Sequence, residues 1–206
     1  MKLKDLKSPY LDFQKLKVAL CDDSHPRRSI GLMVKRGEIT RIKKGLYVWG
    51  EKSNQPFSRE VLSNLIYGPS YVSLEYALFF HGLIPERVEV ITAVATKKKK
   101  EFETPVGLFT YEHLNIEAYP WGISLVEIDQ GITCMIASPE KALLDTISLR
   151  IKSGVEVSDL KNILFHDLRI DPGQFSELDS KKLIDLSSQY KNKSIKVFAQ
   201  YMKLRG

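Results

Sequence analysis

Two cysteines in 206 residues, Cys21 and Cys134, are too few and too far apart for a disulfide framework, and neither has the CxxC companion of a zinc site. Both read as buried thiols. No apolar run approaches the roughly 20 residues that a membrane-spanning helix needs, so nothing in the chain predicts a bilayer span. The opening Met-Lys-Leu-Lys-Asp-Leu lacks the apolar stretch of a secretory leader, which makes the cytoplasm the expected location. In that compartment the sequon Asn192-Lys193-Ser194 carries no meaning. The phosphate-binding GxxxxGK[ST], the HExxH of zinc hydrolases and the GxSxG nucleophile elbow are all missing. There is no internal repeat or low-complexity tract. No cofactor is implied.

What is present is charge, unevenly spread. Residues 1–52 hold thirteen Lys and Arg against six Asp and Glu, whereas the remaining residues hold eighteen against nineteen. The whole excess behind the net +6 therefore sits in the first quarter. Such asymmetry points to a polyanion-binding module joined to a nearly neutral domain.

That first quarter has a readable order. Residues 1–10 read as a short helix or arm closed by Pro9. Asp12 suits the N-cap of a helix over 13–20, with Phe13, Leu16, Ala19 and Leu20 near helical spacing. A second helix starts at Ser24 or His25, carries Pro26 in its first turn and stops at Gly37. Its Ile30, Met33 and Val34 form the core side; Arg27, Arg28, Gly31 and Lys35 form a basic side broken by a residue without a side chain. Residues 38–49 then read as a hairpin: Ile39, Thr40 and Ile42, a basic turn closed by Gly45, then Leu46, Tyr47, Val48 and Trp49. Helix, turn, helix and cationic hairpin is the order of a winged helix-turn-helix, whose second helix enters the major groove.

The polar stretch 51–56 is the best linker, dividing a DNA-binding domain over 1–52 from an α+β domain over 57–206. In the second, helices are predicted over 58–67 and from Ser73 to His81, where His81 is a helix C-terminal residue. Strands are predicted over 88–95, 106–111, 124–128 and 132–136 as a small, mostly antiparallel sheet, with the lysine run 97–100 at a hairpin end. Ser138, Pro139 and Glu140 open a helix in favourable form. From Gly154 onward the chain reads as helical, in segments over 158–165, 177–190 and 194–204. The fold class is α+β.

The run from Val34 to Val48, written Val-Lys-Arg-Gly-Glu-Ile-Thr-Arg-Ile-Lys-Lys-Gly-Leu-Tyr-Val, resembles the winged helix-turn-helix of the AbiEi-type antitoxins, transcriptional regulators of type IV toxin–antitoxin operons. Tyr71-Val72-Ser73-Leu74-Glu75-Tyr76-Ala77-Leu78, followed by His81-Gly82-Leu83-Ile84-Pro85, looks like the opening of that family's second domain. Ser138-Pro139-Glu140-Lys141-Ala142-Leu143-Leu144-Asp145 looks like its later helix. The resemblance runs in order to about residue 150. It implies a repressor that binds operator repeats in double-stranded DNA beside its own promoter and counters a nucleotidyltransferase-like toxin. It assigns DNA contact to Arg27, Arg28, Lys35, Arg41, Lys43 and Lys44, and Arg36, at the end of the same helix, completes the candidate set.

Two other classes compete. A metal-dependent nuclease would need carboxylates such as Glu127 and Asp129 on one side of a strand, or Asp179-Ser180-Lys181 as an acid-x-lysine element. A protein-docking winged helix would use the same basic surface without nucleic acid. The expectation is that the chain is not an enzyme.

Overall fold

The computed structural model describes residues 6, 8–53, 55–129 and 131–205, with the side chains of Lys52, Asp129 and Arg205 also outside the description. The expected helix or arm over 1–10 lies largely outside the described residues. Its end is instead a strand, β1 (Tyr10–Asp12). Asp12 then caps α1 (Phe13–Ala19), its carboxylate accepting the Lys15 N–H at 2.7 Å. Helix α2 (Pro26–Lys35) follows a turn, with proline in its first turn. The hairpin is β2 (Ile39–Lys43) and β3 (Leu46–Trp49), and Gly45 closes it at φ +84°, a conformation glycine adopts without a steric penalty.

These strands form an antiparallel sheet in the order β1-β3-β2. One face, with Leu11, Ile39 and Tyr47, packs under α1 and α2 on Leu16, Ile30 and Met33. The other face, with Tyr10, Ile42, Leu46 and Val48, belongs to the same apolar cluster as Val61, Leu62 and Ile66 of α3 (Arg59–Ile66). The small sheet is thus covered on both sides. Across residues 51–56 the two parts are also tied by polar contacts: the Tyr10 hydroxyl accepts the Ser58 N–H at 2.9 Å.

Beyond α3 come β4 (Ser70–Val72), α4 (Leu74–Phe80), β5 (Ile91–Ala95), β6 (Lys100–Thr104), β7 (Gly107–His113), β8 (Ile123–Asp129) and β9 (Ile132–Ala137). They make one six-stranded sheet in the order β6-β7-β5-β4-β9-β8. It is larger and more mixed than expected. β4 lies parallel to β9 and β5 parallel to β7, while β4–β5, β6–β7 and β8–β9 are antiparallel. The expected hairpin between residues 88–95 and 106–111 does not form, because β6 intervenes and takes the hairpin role with β7.

Helix α5 (Pro139–Arg150) starts at Ser138, whose hydroxyl accepts the Lys141 N–H at 3.3 Å. It is buried all round from Glu140 to Ile147 rather than along one side. The cover comes from α4, from α8 (Ser180–Ser187) and from α9 (Lys193–Arg205). Between them lie α6 (Leu160–Asn162), which runs into a wider helical turn over Ile163–Asp167, and α7 (Pro172–Ser176). Among the described residues, no helix is long and apolar enough to cross a membrane.

Candidate nucleic-acid interface

Successive residues of a helix are about 100° apart, so Arg27, Gly31 and Lys35 share one line along α2 and Arg28 and Leu32 the line beside it. All five are exposed, and the opposite side carries the buried Ile30 and Met33. Among the described residues, no carboxylate lies within ion-pair distance of Arg27, Arg28 or Lys35. A β-carbon added at Gly31 would meet nothing within 4 Å, so no packing within the molecule requires a glycine there. Arg36 sits at the C-cap and is paired with Glu38 at 3.7 Å.

The N-terminal end of α2 opens on a depression of about 450 Å³ lined by Phe13, Lys17, Ser24, His25, Pro26, Arg27 and Arg28. The Arg27 guanidinium stands 5.8 Å from the centre of the Phe13 ring. The nearby acid is occupied: Asp23 accepts the His25 N–H at 2.7 Å, and bonds from the Ser29 side chain and from that N–H hold its carboxyl below the usual range. Phe13 donates its own N–H to the Gly45 carbonyl at 3.1 Å, which places the hairpin turn beside this end of α2.

The hairpin residues divide. Arg41, on the edge strand, and Lys44, in the turn, are exposed. Lys43 is less exposed. It donates to the Ile66 carbonyl at the end of α3, so one of its donors is engaged within the molecule. The cause is a register shift between Arg41 and Lys43, which breaks the alternation that would otherwise keep both on one side. Sequence reasoning also missed that Lys97 and Lys100 of the lysine run come up to Lys43, because that approach joins segments distant in sequence and leaves no local signal. Cys134 is buried, and burial, with Glu60 nearby, pushes its thiol up to about 12; Cys21, expected to be buried, is exposed in the turn between α1 and α2.

The two later stretches of the resemblance meet in the interior. Asp145 pairs with Lys141 at 3.1 Å and accepts hydrogen bonds from Tyr190 at 2.6 Å, Ser73 at 2.8 Å and Tyr71 at 2.9 Å. Lys141 further donates to the Ala118 carbonyl at 2.7 Å and to the Tyr190 hydroxyl at 2.8 Å, so all three of its N–H donors have acceptors. Burial holds the Lys141 amine below its ordinary value, opposed by Asp145; burial and then Asp145 push the Tyr190 phenol well up. Lys141 and Asp145 are wholly enclosed, so this is an internal brace between α5, β4 and the segment leading to α9. Ser73 accordingly directs its hydroxyl to Asp145 instead of capping α4.

Two of the carboxylates weighed for a nuclease, Glu127 and Asp179, have structural occupations. Glu127 accepts the Gly131 N–H at 2.7 Å within the β8–β9 turn, and a register shift separates it from position 129. The Asp129 side chain lies outside the described residues. Asp179 caps α8 by accepting the Lys182 N–H at 3.0 Å. His81 ends α4, with its ring Nε2 2.8 Å from the Ala137 carbonyl oxygen; burial draws its pKa down. Among the described residues, no group of three or more His, Cys, Asp or Glu is arranged to hold a metal ion. No family model matches the chain, and no match to a curated protein was found.

Proposed function

We propose that this chain is a DNA-binding transcriptional regulator of the cytoplasm, built on an N-terminal winged helix-turn-helix, and that it is not an enzyme. The observation that carries this reading is the solvent face of α2, where Arg27, Arg28 and Lys35 stand without partner carboxylates among the described residues, around a glycine that the packing of those residues does not need. On a duplex, that face enters the major groove, where its basic residues meet the flanking phosphates and an arginine can bond guanine O6 and N7 together. Gly31 lets the helix backbone approach the groove wall. Arg41 and Lys44 bind phosphates and set the register of docking without reading sequence. Arg36, held by Glu38, has a lesser part.

The antitoxin role is proposed on the resemblance of the three stretches quoted above. In that role the protein represses its own operon and counters a nucleotidyltransferase-like toxin encoded beside it. The test is electrophoretic retardation of duplex DNA from the region upstream of its own reading frame, at low salt. A discrete shifted species is expected, competed poorly by unrelated duplex. No shift of any duplex contradicts the proposal.

A further inference from the structure

Where the hairpin meets the chain after α3, Lys97 and Lys100 stand over the Tyr67 ring and Lys43 reaches the carbonyl of the preceding residue, Ile66. Lys43 of β2 donates to the Ile66 carbonyl and Lys97 to the Gly68 carbonyl, so both close on the chain just after α3. The Lys97 ammonium lies 5.3 Å from the centre of the Tyr67 ring, and that of Lys100 5.7 Å from the same ring and 4.9 Å from that of Phe102. The Tyr67 hydroxyl donates to the Lys98 carbonyl at 3.1 Å, which fixes the loop bearing the run.

A lysine near a helix C-terminus is ordinary, because it satisfies the last carbonyls and suits the helix dipole. That accounts for one lysine, not for three. Lys99, inside the same run, is neutralised by Glu112 at 2.8 Å, but no described carboxylate lies within ion-pair distance of Lys43, Lys97 or Lys100. Burial, and then the charges of Lys97 and Lys100, hold the Lys43 amine below its usual value, as expected of positive charges gathered without an anion. An ammonium group has three donors, and the carbonyl bonds of Lys43 and Lys97 leave others free.

We propose that Lys43, Lys97 and Lys100 form around Tyr67 a binding site for a phosphate-class anion, which bridges the hairpin to the second domain. A tetrahedral oxyanion offers several acceptors to donors arriving from different directions, and lysine binds it as a compact charge. The anion is supplied either by a free polyphosphate or by the backbone of a nucleic acid. Its existence does not depend on the DNA-binding reading, since the first source needs no duplex.

The experiment is thermal unfolding of the full chain with sodium pyrophosphate against sodium chloride at matched ionic strength, repeated with a short DNA duplex. Wild type is compared with Lys97→Gln/Lys100→Gln, with Lys100→Gln alone, which disturbs no carbonyl bond, and with Lys181→Gln as a remote control. The site predicts a melting temperature that rises with pyrophosphate in wild type and Lys181→Gln, rises less in Lys100→Gln and not at all in the double variant. A rise with duplex alone, lost in the double variant, supports the site and identifies the backbone as its source. No rise with either anion, or equal rises with pyrophosphate in wild type and both run variants, overturns it. A pyrophosphate effect without any DNA retardation leaves the site standing and removes the regulator reading.

Discussion

Single residues decide which part of the basic surface is usable. Arg27, Arg28 and Lys35 were legible because helical spacing alone separates them from Ile30 and Met33. Lys43 was not, because a one-residue shift in β2 redirects it toward α3, and no composition rule reports such a shift. Gly31 bears the sharpest test at this scale. A mid-helix glycine costs roughly 0.5–1 kcal/mol relative to alanine, and space for the methyl is open here. Gly31→Ala is therefore expected to raise resistance to urea by about that amount while weakening DNA retardation. Unchanged retardation would show that the backbone at 31 approaches nothing. Asp145 offers the opposite case. Asp145→Asn leaves Lys141 enclosed without its counter-charge, and a loss of about 3–5 kcal/mol in urea unfolding is expected. A loss under about 1 kcal/mol would mean that the brace is not ionic.

Among the elements, α1, α2, the hairpin and α5 could be read from the chain because their signals are local: caps at Asp12 and Ser138, proline in a first turn, glycine in the turn. β1 and β4 are three residues long, and β6, Lys-Glu-Phe-Glu-Thr, looks like a charged loop, so none gave a usable pattern. The parallel pairings of β4 with β9 and β5 with β7 are set by contacts distant in sequence. Burial on all sides of α5 was hidden for a related reason, since its charged residues find partners only in the folded state. One of them makes the packing pH-sensitive. Burial opposes the charged form of Glu140, but the bond from Lys182 at 2.7 Å, its own N–H and the Ser138 hydroxyl outweigh it and hold the carboxyl below its ordinary value of 4.5. Glu112 behaves likewise between Lys99 and Arg150, against its own burial. For a carboxylate with a lowered folded pKa, the added stability is present above 4.5 and is lost as pH falls through the folded value. Denaturant midpoints should thus begin to fall as pH drops through about 6.5, where His81 protonates more readily unfolded than folded, and fall further below about 4.5, and replacing Glu140 by Gln should reduce that second drop.

At the scale of the molecule, the division into a basic first quarter and a neutral remainder was visible in charge alone, but the way the parts adhere was not. The sheet β1-β3-β2 has apolar residues on both faces, so the first part shares its core with the second instead of hanging from a linker. Such a joint holds the exposed face of α2 in a fixed relation to the rest of the chain, as docking on a rigid duplex requires. By the proposed reading, this face meets DNA phosphates and bases through its arginines. The most direct measurement is the salt dependence of DNA affinity for wild type and for Arg27→Gln/Arg28→Gln. Each lost phosphate contact flattens the slope of log affinity against log salt by about 0.9, so a slope shallower by up to about two and weaker binding are expected in the variant. A variant with the slope and affinity of wild type would contradict it.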